Sequence, residues 1–155
     1  MGVGKTTIGK KLAKRLQVPF VDTDVLISKE FGEIPKIFEE LGEAKFREFE
    51  ETAVLKAIAS PAVVATGGGA VLSEHTRAAL SETKVVYLST DGKHMASRLA
   101  GGNRPLLKDG LADWRRIYES RRALYEQVAD ITIDTSGSPL KALVEEIATR
   151  LEEIV

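Results

Sequence analysis

Met1-Gly2-Val3-Gly4-Lys5-Thr6-Thr7 forms the tail of a phosphate-binding loop of the type G-x-x-x-x-G-K-[ST]. The chemistry of such a loop is specific. Its glycines let backbone N–H groups turn inward around phosphate oxygens, and the helix that follows aims its positive end at them. Lys5 is placed to reach the β- and γ-phosphates of a nucleotide, and the Thr6 hydroxyl to hold Mg2+. The bland alternative is a glycine-rich turn before a basic helix; a helix with the right apolar face begins where the motif demands, which favours the phosphate loop. A second pair, Asp22 and Asp24, stands at the carboxyl end of a strand-like run, where open α/β sheets place their ligands. If strand geometry persists to Asp24, period-two alternation puts both carboxylates on one face. One would then help fix Mg2+, directly or through water, and the other accept a proton from a hydroxyl. Alternatively, Asp24 caps the next helix and Asp22 is a solvated strand end.

The elements that must position these groups alternate between helical and strand-like periods, the mark of an α/β fold with a parallel sheet. Ile8, Leu12 and Leu16 recur at helical spacing over 5–17, with Lys10, Lys11, Lys14 and Arg15 on the other sides. Residues 18–23 read as a strand and 25–31 as a helix with Asp24 as its N-cap and Gly32 closing it. Ile34, Ile37, Phe38 and Leu41 form a helical stripe ended by Gly42, and Phe46, Phe49, Ala53 and Ala57 mark a longer helix over 43–59. The apolar, β-branched run from Ala62 to Thr66 predicts a buried strand leading into Gly67-Gly68-Gly69. A short helix over 73–80, a strand over 85–88 and a helix over 91–99 follow. Residues 101–111 break every pattern and read as a mobile loop. A helix over 113–128, a strand over 131–133 and a last helix complete the chain. Ser138 and Pro139 are the N-cap and first residue of that helix, and Leu140, Leu143, Ile147, Leu151 and Ile154 its stripe.

Composition narrows the function. The 155 residues suit one domain, are 43% hydrophobic and carry a formal net charge of -1. Without a basic excess, and with few aromatics for stacking, a nucleic-acid partner is not expected. The absence of cysteine excludes disulfides, thiolate metal sites and a cysteine nucleophile. No apolar run approaches the roughly 20 residues of a membrane span and no signal peptide is legible, so a soluble, cytoplasmic chain without a membrane partner is expected. No long apolar stripe is left over, which favours a monomer.

Several motifs, in order and in register from Met1 to the final helix, carry a family resemblance. Gly4-Lys5-Thr6-Thr7-Ile8-Gly9, Asp22-Thr23-Asp24 and Phe46-Arg47-x-x-Glu50 are followed by Gly67-Gly68-Gly69-Ala70, Arg104-Pro105-Leu106-Leu107 and Arg121-x-x-Leu124-Tyr125. Together they resemble shikimate kinase. The resemblance implies a three-layer α/β/α P-loop kinase of the nucleoside-monophosphate-kinase-like branch, a single domain over 1–155 with a parallel sheet and a mobile lid near 101–111. The family's sheet has five strands, with the strand before the phosphate loop in its middle. That strand and the loop's first glycine are missing from this sequence, so Met1 is expected to be an internal methionine of a longer chain.

The resemblance also implies a reaction: transfer of the ATP γ-phosphoryl group to the 3-hydroxyl of shikimate, with Mg2+, on the route to chorismate and the aromatic amino acids. It assigns Gly2, Val3, Gly4, Lys5, Thr6 and Thr7 to the ATP phosphates, Thr6 to the metal, and Asp22 to the metal through water. Asp24 resembles the residue that binds the shikimate hydroxyl and acts as base. Arg47 and Arg121 match the arginines that clamp the shikimate carboxylate, and Gly67, Gly68 and Gly69 the backbone beside its ring. Arg104 matches the lid arginine over the phosphates, and Arg98, more loosely, an arginine near adenine. The residue types agree: an Arg fork suits a carboxylate better than a Lys point charge does, and glycines at a strand end let a ligand approach the backbone. Without the register, Arg47 and Arg121 would read as solvated helix residues, and Tyr125 and Trp114 read as packing. The rival readings are another small-metabolite kinase of the same fold, such as a gluconate kinase, and a non-catalytic nucleotide-binding relative.

Overall fold

The computed structural model describes residues 4–90 and 110–154. The elements in chain order are α1 (Lys5–Leu16), β1 (Phe20–Asp22), α2 (Thr23–Phe31), α3 (Ile34–Ala57), β2 (Val63–Ala65) and a 3-10 turn (Ala70–Leu72). Then come α4 (Glu74–Leu80), β3 (Val86–Ser89), α5 (Leu111–Val128), β4 (Ile131–Asp134) and α6 (Leu140–Glu153). Among the described residues the four strands form two parallel pairs, β1 with β2 and β3 with β4. The registers set Asp22 opposite Ala65 and Ser89 opposite Asp134, so the carboxyl ends within each pair are level.

Strand β3 shows how the layers arise. Val86 and Leu88 pack into the cluster built on Ile8 and Leu12 of α1, Ile131 and Ile133 of β4, and Leu143, Val144 and Ile147 of α6. Tyr87, between them, points the other way, into a cluster with Val71 and with Trp114, Tyr118 and Tyr125 of α5. Period-two alternation therefore packs both faces of one strand, Tyr87 fully buried on one and Val86 and Leu88 half-buried on the other. Val63 of β2 packs into the first cluster with Val86 and Leu88, so both strand pairs share a core. Burying Ile8 and Leu12, at 5% and 6% exposure, is worth about 1.5–3 kcal/mol each. A third cluster, around Ile27, Ile37, Phe46 and Ala53, joins α2 to α3.

Several expected boundaries shift. The first strand is Phe20–Asp22 rather than 18–23, because Thr23 already opens α2, and the N-cap is Asp22, not Asp24. Gly42 does interrupt the helical run, with φ 83 and ψ 169, but α3 resumes at once beyond it. Its neighbour Leu41, expected on the buried stripe, is 54% exposed. Pro139 rather than Ser138 is the N-cap of α6, and Ile154 lies beyond its last turn, exposed. Helix α5 begins two residues earlier than expected, at Leu111. The expected helix over 91–99, the lid residues 101–109, and Gly2, Val3, Arg98 and Arg104 lie outside the described residues. No helix among the described residues is long and apolar enough to cross a membrane.

Candidate active site

The site begins at the amino end of α1. Gly4 is its N-cap with φ 83, a left-handed backbone that favours glycine, and its carbonyl accepts the first helical bond, from Ile8 N–H at 3.0 Å. Lys5 and Thr6 follow as the first helical residues, half-buried, while Thr7 is exposed. No acidic residue stands in this first turn, so its free N–H groups and positive end are unopposed from within the helix. Gly9, one turn on, lets the helix lie close to β1: a Cβ there would stand 2.6 Å from the Phe20 ring.

Asp22 and Asp24 are brought together by capping rather than by strand pleat. Asp22 Oδ1 accepts the Asp24 N–H at 2.9 Å, and its Oδ2 accepts the Thr6 hydroxyl at 3.3 Å. Between them the wholly buried Thr23 donates its hydroxyl to the Ala65 carbonyl at 3.3 Å, fixing the turn to β2. Burial pushes the Asp24 carboxyl above its ordinary value; Lys5 opposes the shift, Asp22 adds to it, and Arg47 opposes it. A carboxylate of raised basicity beside a phosphate loop is the profile of a general base.

The second wall comes from α3 and the triple glycine. Arg47 donates from Nη1 to Glu50 Oε1 at 2.8 Å, and from Nε and Nη2 to Glu43 Oε2 at 3.2 and 3.1 Å. Glu50 is 3% exposed. Burial raises its carboxyl, the ion pair and hydrogen bond with Arg47 oppose that, and the Asp24 charge raises it further. The glycines are needed here for space. A Cβ at Gly67 would sit 2.8 Å from Glu50 Oε2 and 3.2 Å from Asp24 Oδ1, and one at Gly69 would overlap the Arg47 guanidinium. Asp24, Arg47, Glu50 and the glycine backbone therefore line one recess.

Arg121 closes it from α5. It is 7% exposed and stands one turn from Tyr125, whose hydroxyl donates to the Gly68 carbonyl at 2.7 Å. A cavity of about 190 Å³ extends behind Gly69, bounded by Arg47, Glu50, Glu51, Ser73 and Thr76. A second, about 160 Å³, opens beside the phosphate loop among Gly4, Thr7, Thr135, Ser138 and Leu140.

The structure thus gathers Lys5, Thr6, Asp22, Asp24, Arg47, Gly67, Gly68, Gly69 and Arg121 around connected walls. Sequence reasoning gave Glu50 no role, although the signal was present: it falls at i+4 of the buried stripe Phe46, Ala53, Ala57, where a carboxylate must find a partner. Tyr125 reads from sequence as packing, and nothing local in the sequence reveals its bond to a residue 57 positions away.

A family model described as shikimate kinase matches residues 1–152. Curated relatives include a shikimate kinase of Corynebacterium jeikeium, 38% identical over 99% of this chain and 85% of that protein. Another, from Corynebacterium efficiens, is 40% identical over 98% of this chain and 92% of that protein. Among solved structures, shikimate kinase from Acinetobacter baumannii in complex with shikimate superposes with TM-score 0.93 at 36% identity, covering 99% of this chain and 89% of that one. The Bacteroides thetaiotaomicron shikimate kinase gives TM-score 0.86 at 32% identity, covering 98% and 94%.

Proposed function

The chain belongs to the shikimate kinase family, and we propose that the recess between α1, α2, α3 and α5 transfers the ATP γ-phosphoryl group to the 3-hydroxyl of shikimate. The observation that carries this reading is the single recess holding Asp24, Arg47 and the Gly67–Gly69 backbone, reached from one side by Lys5 and from the other by Arg121. In it Asp24, with its raised basicity, accepts the proton of the attacking hydroxyl. Arg47 and Arg121 clamp the shikimate carboxylate from two helices, fixing the ring so that the hydroxyl faces the phosphates. Lys5 and the amino end of α1 stabilise the charge on the transferring phosphoryl group.

The nucleoside of ATP then lies in the groove of Thr7, Thr135 and Ser138, the cavity that opens beside Gly4. On the resemblance alone, Arg104 closes over the phosphates and Arg98 lies near the adenine. Thr6 Oγ1 and Asp22 Oδ2, two hard oxygen donors 3.3 Å apart, fit Mg2+, with Asp22 acting through water. When bound, the ion neutralises charge on the β- and γ-phosphate oxygens. The protein acts as a single-domain, monomeric, cytoplasmic enzyme on these small molecules.

ADP release with MgATP, compared across shikimate, gluconate and no acceptor, tests the reading. Turnover that depends on shikimate alone supports it. Gluconate-dependent turnover, or nucleotide binding without turnover on any acceptor, overturns it.

A further inference from the structure

We propose that Tyr125 is a positioning residue of the acceptor site: one phenolic oxygen sets the spacing between the Arg121 guanidinium and the Gly67–Gly69 backbone. The inference rests on the carboxylate-clamp reading of Arg121 and goes beyond it. Tyr125 is one turn from Arg121 on α5 and 9% exposed. Its hydroxyl donates to the Gly68 carbonyl at 2.7 Å, and the Arg121 charge acts on that same hydroxyl. Helix α5, which carries Arg121, and the glycine backbone are different walls of the recess, far apart in the chain, and the Tyr125 hydroxyl ties one to the other.

The ring is itself held. Its centroid lies 5.3 Å from that of Tyr87 on β3 and 6.1 Å from that of Tyr118. Tyr118 in turn packs 5.1 Å from Trp114, and the Tyr87 and Tyr118 hydroxyls are hydrogen-bonded to each other. Tyrosine has two side-chain torsions, and this ring packs against Tyr87 of β3, which holds its oxygen beside the strand layer. Phenylalanine at this position would fill the same space and make the same ring contacts. It would lose the oxygen alone, leaving the Gly68 carbonyl to find another partner and α5 untied from the glycine backbone. The acceptor carboxylate would then meet an arginine whose angle is no longer set.

Tyr125→Phe isolates this role. With the two substrates varied separately, the KM for shikimate is expected to rise roughly tenfold, the size of one lost hydrogen bond, while the KM for ATP stays within about twofold. The melting temperature and Trp114 fluorescence should hold, because the ring remains. In a double-mutant cycle with Arg121→Ala, the second substitution should cost little once the first is made. Additive effects, an unchanged shikimate KM, or equal rises in both KM values with a lowered melting temperature would each overturn the proposal. Failure of the parent protein to use shikimate would instead strike the carboxylate-clamp reading, so the two failures are distinguishable.

Discussion

Glu50→Gln separates what holds the site from what holds the fold. The substitution keeps the shape and an acceptor and removes one charge. Arg47 is anchored twice: by Glu43, 46% exposed, and by Glu50, 3% exposed. The exposed half is worth about 0.3–0.5 kcal/mol. The buried charge-assisted bond at 2.8 Å carries about 1.5–3 kcal/mol, of which a neutral amide acceptor retains roughly half. Losing about 1–1.5 kcal/mol of the force that aims Arg47 predicts a rise of about fivefold to tenfold in the shikimate KM. The sign for stability is opposite. The Glu50 carboxyl is raised above 4.5 because burial outweighs Arg47, so the ionised group opposes folding. The folded state then binds protons more readily than the unfolded chain. Stability at this position is fully recovered below the unfolded value of 4.5 and is lost as pH rises through the folded one. The Gln variant lacks that loss. At neutral pH it should melt at or above the parent temperature, and the gap should close toward pH 4. Steady-state kinetics with each substrate varied, beside thermal melts at pH 4 and pH 7, reads both effects. An unchanged shikimate KM, or a variant that melts well below the parent at pH 7, would refute the reasoning.

Gly69→Ala should raise the shikimate KM about tenfold or more with little change in melting temperature. Gly69 has φ −91, which alanine tolerates, and the clash falls on the movable end of Arg47; a KM within twofold of the parent would show that Arg47 is not needed where it stands. Asp24→Asn should lower kcat by about 10²–10⁴, and the acid limb of the parent's kcat/KM profile, set by the raised Asp24 carboxyl, should vanish with it. A variant that keeps both kcat and that limb would remove Asp24 from the proton transfer. Lys5→Ala should nearly abolish turnover by removing charge stabilisation at the phosphates, and near-normal kcat would disprove its role.

What was legible in the sequence was whatever local chemistry dictates. The periodicity of Ile8 and Leu12 placed α1, the β-branched run placed β2, and Gly42 marked the break in α3 because only a left-handed backbone fits there. The edges were less legible. Asp22 and Asp24 compete for one cap, and the choice falls to Asp22 because its other oxygen is held by Thr6, a contact across 16 residues that no window over 18–31 contains. Most of the site residues followed from motif register, whereas Glu50 and Tyr125 acquire meaning only from what packs against them. Leu41 misled because a stripe that ends at a break loses its last neighbour.

Asp22 also bears on repetition. An enzyme of this kind must load and discharge nucleotide on every cycle, and on the proposed reading whatever enters beside Thr6 meets the Oδ2 side of Asp22. The other oxygen stays on the Asp24 N–H, one residue from the Thr23 bond to β2. The half of the carboxylate that meets the traffic is thus separate from the half that keeps α2 in place. On that reading, exchange at one side of this carboxylate leaves in place the bond on its other side that holds the Asp24 N–H.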